Sequence, residues 1–217
     1  MNRREAVKSL GLGVGFMVAT PTIMSLFQSC ASNTGPEFTP VFVSPEEGKA
    51  LVEIVDLIIP SDENVPGAKE LGIYTFVDSF WKEMLPEDEQ AFVSMGLGSL
   101  NNVFKSTFNK DMSKGTPEEF DQLLSKYLRS SKEQQEAYSK KIGEFMEAAA
   151  KAASAKPDDE AATFAILEGI RGLTMWGWKL NETIGEEVLW YDPVPGRQDG
   201  CIPESEAGNG RVMSLNW

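Results

Sequence analysis

The chain has 217 residues, with 33 acidic side chains against 20 basic ones and a formal charge of −13, a balance that repels nucleic acid and anionic lipid head groups. It contains no histidine and two cysteines, which excludes Ser-His-Asp and Cys-His catalysis, His-ligated haem, zinc, iron or copper, iron–sulfur clusters and a disulfide framework. No Walker loop is present and no Gly-x-Gly-x-x-Gly follows a predicted strand, so no cofactor is expected in this chain.

Residues 1–30 read as an export signal: a basic start, a mostly apolar run from Leu10 to Phe27, and small residues at the end. Arg3, Arg4 and Lys8 match the twin-arginine pattern Ser/Thr-Arg-Arg-x-Phe-Leu-Lys, with Val7 standing for Leu. Asn2 and Ala6 depart from it, and Gly11, Gly13 and Gly15 dilute the apolar run as in twin-arginine signals. The competing readings are an ordinary secretory signal and an uncleaved span; the run is near the lower length limit for spanning. Cys30, preceded by Ser29, stands where a lipoprotein signal places its lipidated cysteine; a non-lipid cut after Ala31 is the alternative. The expected location is the periplasm, with the protein membrane-associated through a lipid anchor.

Residues 31–43, rich in small polar residues with two prolines, read as a flexible tether. A helical domain is expected over 44–189. Ser44-Pro45-Glu46-Glu47 combines a cap, a proline at the first helical position and a capping box. The helix it opens carries Leu51, Val52, Ile54, Val55, Leu57, Ile58 and Ile59, apolar on nearly all sides, and is expected to be the buried hub. Pro60 ends it, and 61–67 form a turn-rich loop. A second helix is predicted from near Ile73 to Met84, with Phe76, Val77, Phe80, Trp81 and Met84 at helical spacing. After Pro86 a third helix carries Val93, Leu97, Leu100, Phe104 and Phe108. Thr116-Pro117-Glu118-Glu119 repeats the capping box ahead of Phe120, Leu123, Leu124, Tyr127 and Leu128.

A long polar helix follows at about 132–155, with Tyr138, Ile142, Phe145 and Ala149 inward and Glu136–Lys140 and Glu147–Lys151 ordered for i,i+4 pairing. Pro157-Asp158-Asp159-Glu160 opens the last helix, which carries Ile166, Ile170, Leu173 and Leu180. Its Gly169, Gly172 and Gly177 either admit a neighbouring backbone closely or break the helix. No convincing alternating strand occurs, so the expected fold is all-α: a compact multi-helix single domain. Residues 190–217 differ in kind, dense in proline, glycine and aromatics. They read either as an irregular strap, with Trp190 and Trp217 as plugs, or as an interaction surface made by Trp190, Tyr191, Asp192, Pro193, Pro195, Gly196 and Cys201.

Four features together resemble the gluconate 2-dehydrogenase subunit 3 family. They are the twin-arginine start; Leu-Val-Glu-Ile-Val-Asp-Leu-Ile-Ile-Pro at 51–60 followed by Pro66-Gly67-Ala68; the Gly-Leu stretch at 96–100; and Tyr191-Asp192-Pro193-Val194-Pro195-Gly196 with Gly200-Cys201. The resemblance implies a small helical subunit with no cofactor of its own. Its partner would be a large FAD-containing subunit of the glucose–methanol–choline type, which oxidises a sugar or sugar acid. A cytochrome c subunit, with haem, often takes the electrons in such complexes. The small subunit would carry the export signal for a partner that folds around FAD before crossing. The lipobox-like Cys30 departs from the simplest form of the family.

Two other function classes compete. An independent lipid-anchored protein could stack a sugar-like ligand on its five tryptophans. An enzyme could use the carboxylates Asp158, Asp159 and Glu160 or the pair Glu186 and Glu187, although acidic residues at helix starts ordinarily serve the helix dipole.

Overall fold

A computed structural model describes residues 38–152, 155–190, 196, 201, 203 and 205–213. The expected signal (Arg3, Arg4, Lys8) and Cys30 lie outside these residues. Six α-helices follow one another among the described residues: α1 (Pro45–Ile58), α2 (Ile73–Glu83), α3 (Glu87–Phe108), α4 (Pro117–Leu128), α5 (Lys132–Lys151) and α6 (Asp159–Leu180). Short turns of 3₁₀ type (Met112–Lys114 and Ala207–Gly210) and π type (Ile184–Val188) complete the elements, and the fold is all-α.

Helix starts follow local chemistry. The Glu47 amide donates to Ser44 Oγ at 3.2 Å while the Ser44 amide donates to Glu47 Oε2 at 2.9 Å, so both predicted partners of the capping box are satisfied. Thr116 and Glu119 repeat the exchange at the start of α4. Ser131 and Asp158 cap α5 and α6. Asn109, in the left-handed region at φ 56°, ends α3.

The hub is α6, not α1. Helix α6 touches every other helix, α3 most extensively. Its buried face carries the small Ala161, Ala162 and Gly177 as well as Phe164, Leu167 and Ile170, so neighbours approach from several sides. In α1, by contrast, Leu51, Ile54 and Val55 are buried but Val52, Leu57 and Ile58 are only half-buried. Two further expectations change. Helix α5 ends at Lys151 rather than 155, because the chain turns at Ala152 to reach Pro157, with the Ala155 amide donating to the Ala152 carbonyl. Its surface pairs are Lys132–Glu136 and Lys140–Glu144, at 3.9 and 3.8 Å, instead of the expected ones. Both are solvent-exposed and contribute little.

Residues 38–43, expected to belong to a flexible tether, pack on the helices. Phe38 stacks edge-on against Tyr74 at 4.8 Å, Phe42 against Trp81 at 5.9 Å, and Val43 is buried. The fastening is Asp78, 1% exposed, whose carboxylate accepts the backbone N–H groups of Val41, Phe42 and Val43 at 2.6, 3.1 and 2.9 Å. Three amide donors converge on one buried carboxyl and occupy both of its oxygens.

Two buried hydroxyls on α6, Thr163 and Thr174, have no hydrogen-bond partner among the described residues. An unsatisfied buried hydroxyl costs about 1 kcal/mol or more, and valine has nearly the same shape. Thr174→Val is therefore expected to raise the melting temperature by about 2–4 °C; a fall in a thermal melt would show that the hydroxyl is satisfied in solution.

Candidate partner-binding surface

The C-terminal residues fold back at their described ends. The Trp190 amide donates to the Val212 carbonyl at 2.8 Å, and Trp190 forms an isolated parallel bridge with Met213. The indole lies over Gly208, where a φ of 55° and the ring together leave no room for a side chain. Arg211 Nη1 donates to the carbonyls of Glu186 and Glu187 at 3.1 Å each, tying the returning chain to the π-type turn. Gly196 and Cys201 are exposed. Tyr191, Asp192, Pro193, Pro195 and Trp217 lie outside the described residues. Of the residues predicted to form one interface, the structure thus fixes Trp190 in a fold-back contact and sets Gly196 and Cys201 at the surface.

The carboxylates singled out from sequence cap and cross-link helices. Asp158 accepts from the Ala161 amide at 3.0 Å and from Lys141 at 2.9 Å; the lysine and the amide hold its carboxyl below the ordinary value. Burial would raise Glu160, but hydrogen bonds from Lys126 and from the Tyr127 hydroxyl, the latter at 2.7 Å, outweigh it and hold Glu160 low. Burial first, then donation to Glu160, pushes the Tyr127 phenol up. Asp159 accepts from Asn102 at 3.3 Å, and Glu186 and Glu187 are exposed. A carboxyl that handles protons near neutral pH needs its pKa raised; Asp158 and Glu160 are shifted the other way. Among the described residues no group of three or more acidic, cysteine or histidine side chains is placed to hold a metal ion, and no helix is long and apolar enough to cross a membrane.

What the sequence reading missed is a pair of apolar surfaces. The first is a groove of about 320 Å³ between α3, α5 and α6. Trp81, Leu85, Val93 and Ile166 line it, and Phe92, Met95 and Met146 stand at its edge, 36%, 37% and 52% exposed. Phe92 and Phe145 meet edge-on across it at 6.0 Å. At its base Gly96 fits against Ile166, which would lie 3.0 Å from an added Cβ. Glu89 is the one ionisable side chain among the described residues that line it.

The second surface is an aromatic trio where α2 meets α6. Trp176 packs edge-on against Phe76 at 5.5 Å and Phe80 at 5.6 Å, yet remains 43% exposed. Gly177 makes the approach possible, since a Cβ there would stand 2.5 Å from Phe76. Leu180 is 50% exposed one turn further on. The helical spacing of Phe76 and Phe80 was legible, but periodicity cannot tell a core stripe from an unfilled docking stripe.

The four described tryptophans do not share a cleft. Trp81 is buried at the groove, Trp176 is exposed, Trp178 donates to the Pro66 carbonyl at 3.0 Å, and Trp190 covers Gly208. The groove offers few of the hydrogen-bonding groups a sugar requires.

The family model described as gluconate 2-dehydrogenase subunit 3 matches residues 45–196, well over half of the chain. No curated protein and no solved structure matches.

Proposed function

The chain belongs to the gluconate 2-dehydrogenase subunit 3 family, and from that premise we propose that it is the non-catalytic small subunit of a periplasmic, membrane-associated flavin dehydrogenase acting on a sugar or sugar acid. The family name implies a subunit of a multi-subunit gluconate dehydrogenase complex. In the proposed assembly FAD sits in the large subunit, and a cytochrome c subunit receives the electrons through its haem. This chain supplies the export signal through Arg3, Arg4 and Lys8, the anchor through Cys30, and a folded surface that supports the catalytic subunit. The observation that carries the reading is the family match over 45–196. The cap and cross-link roles of Asp158 and Glu160 and the two exposed apolar surfaces support it.

The test uses the full chain co-expressed with its flavin subunit. Replacing Arg3 and Arg4 by lysine keeps the charge and alters the address. Export of both chains is expected to fail together, read as loss of the flavin subunit and its activity from the periplasm. Arrival of the flavin subunit at wild-type level overturns the shared-signal role. With Arg3 and Arg4 intact, Cys30→Ala is expected to abolish lipid labelling and release the complex from membranes.

A further inference from the structure

The outer face of α6 joins the two apolar surfaces. Ile166 and Gly169 line the groove, Trp176 belongs to the trio, and Gly172 and Leu180 continue the same helical row. Gly169, Gly172, Trp176 and Leu180 are exposed. At Gly169 and Gly172 no atom of the other described residues lies within 4 Å of where a Cβ would stand. Glycine inside an exposed helix destabilises it relative to alanine, and nothing in the described chain uses the room these two create. On α2, Trp81 lines the groove and the adjacent Phe80 belongs to the trio, so the two apolar surfaces meet on that helix as well. From Ile166 to Leu180 it runs about 21 Å, the length of a helix of about 14 residues.

We propose that this band seats one helix of the catalytic subunit, apolar along one face, with its backbone lying close over Gly169 and Gly172 and basic residues at the end beside Glu89. The inference rests on the reading of this chain as a dehydrogenase subunit. A helix fits because it satisfies its own backbone hydrogen bonds, and the band has few polar groups to offer a strand or a sugar. Charge selects among helices. Glu87, Asp88 and Glu89 open α3 at the groove end, and the flanking Glu168 is already paired with Arg171 at 2.8 Å. A basic partner end complements the groove rim. A second copy, itself at −13, would bring like charge against like, and an anionic lipid surface would be repelled in the same way.

Gly169→Leu with Gly172→Leu fills the gap and tests the proposal. Leucine favours the helix more than glycine does, so the isolated subunit is expected to melt at or above the wild-type temperature. Its affinity for the flavin subunit, measured with purified partners, is expected to fall at least tenfold. Glu89→Lys is expected to weaken association several-fold and to flatten its dependence on salt. Partner binding at wild-type strength in the glycine variant overturns the proposal. So does loss of binding on Tyr191→Ala with Asp192→Ala while the glycine variant binds normally, which assigns docking to the strap. A wild-type dimer in sedimentation, or flotation with phosphatidylglycerol vesicles, that the glycine variant abolishes also overturns it. If the wild-type chain binds no flavin subunit, the subunit reading itself fails; if wild type and variant bind equally, only the seated helix does.

Discussion

Asp78→Ala is expected to lower the melting temperature of the subunit by roughly 10 °C, corresponding to about 4 kcal/mol. The substitution strands three N–H donors, those of Val41, Phe42 and Val43. The Val43 bond is fully buried and the other two partly so, which sets the loss near one full unsatisfied donor plus two partial ones. The segment they hold also packs Phe38 on Tyr74 and Phe42 on Trp81, so its release uncovers α2. Hydrogen exchange should show loss of protection at these three amides before the rest of the fold opens. Asp78→Asn keeps one acceptor oxygen but turns an NH₂ toward the donors, and should recover less than half of the loss. A melt within a degree of wild type for the alanine variant would mean that the aromatic contacts alone hold the segment.

The second large effect is at Gly67. In the loop after α1 the Gly67 amide donates to Ser61 Oγ and the Ala68 amide to the Ile59 carbonyl, both at 2.8 Å. A Cβ on Gly67 would lie 2.6 Å from the Pro60 carbonyl carbon and 2.7 Å from the Ile59 oxygen. These are backbone atoms, so no rotamer change relieves the contact, and the loop must open. Gly67→Ala is expected to cost about 3 kcal/mol, or about 6–12 °C in melting temperature. Opening also withdraws the Pro66 carbonyl that accepts from Trp178 at 3.0 Å, so tryptophan fluorescence should shift in the folded state. Unchanged stability and fluorescence would show that the loop has slack the geometry does not suggest.

Read alone, the sequence determines where the helices begin and that there are helices at all. A capping box spans four residues, so Ser44 with Glu47 and Thr116 with Glu119 are legible without knowledge of the fold. The apolar rows of α2, α3 and α4 are equally local, because a helix repeats its faces every three or four residues. The family likeness rested on contiguous stretches, and the match over 45–196 agrees with it.

Tertiary structure decides everything that depends on which face meets which. An all-round apolar α1 looked like the hub, yet α6 holds that place, because its small residues let five helices approach while the last turns of α1 stay half-exposed. Nothing in the local sequence marks Asp78; its partners lie 35 to 37 residues upstream, a separation no local pattern encodes. The three glycines of α6 are alike in sequence. Packing alone separates Gly177, pressed against Phe76, from Gly169 and Gly172, which face open space, because a missing side chain records that something comes close but not whether it belongs to the same chain.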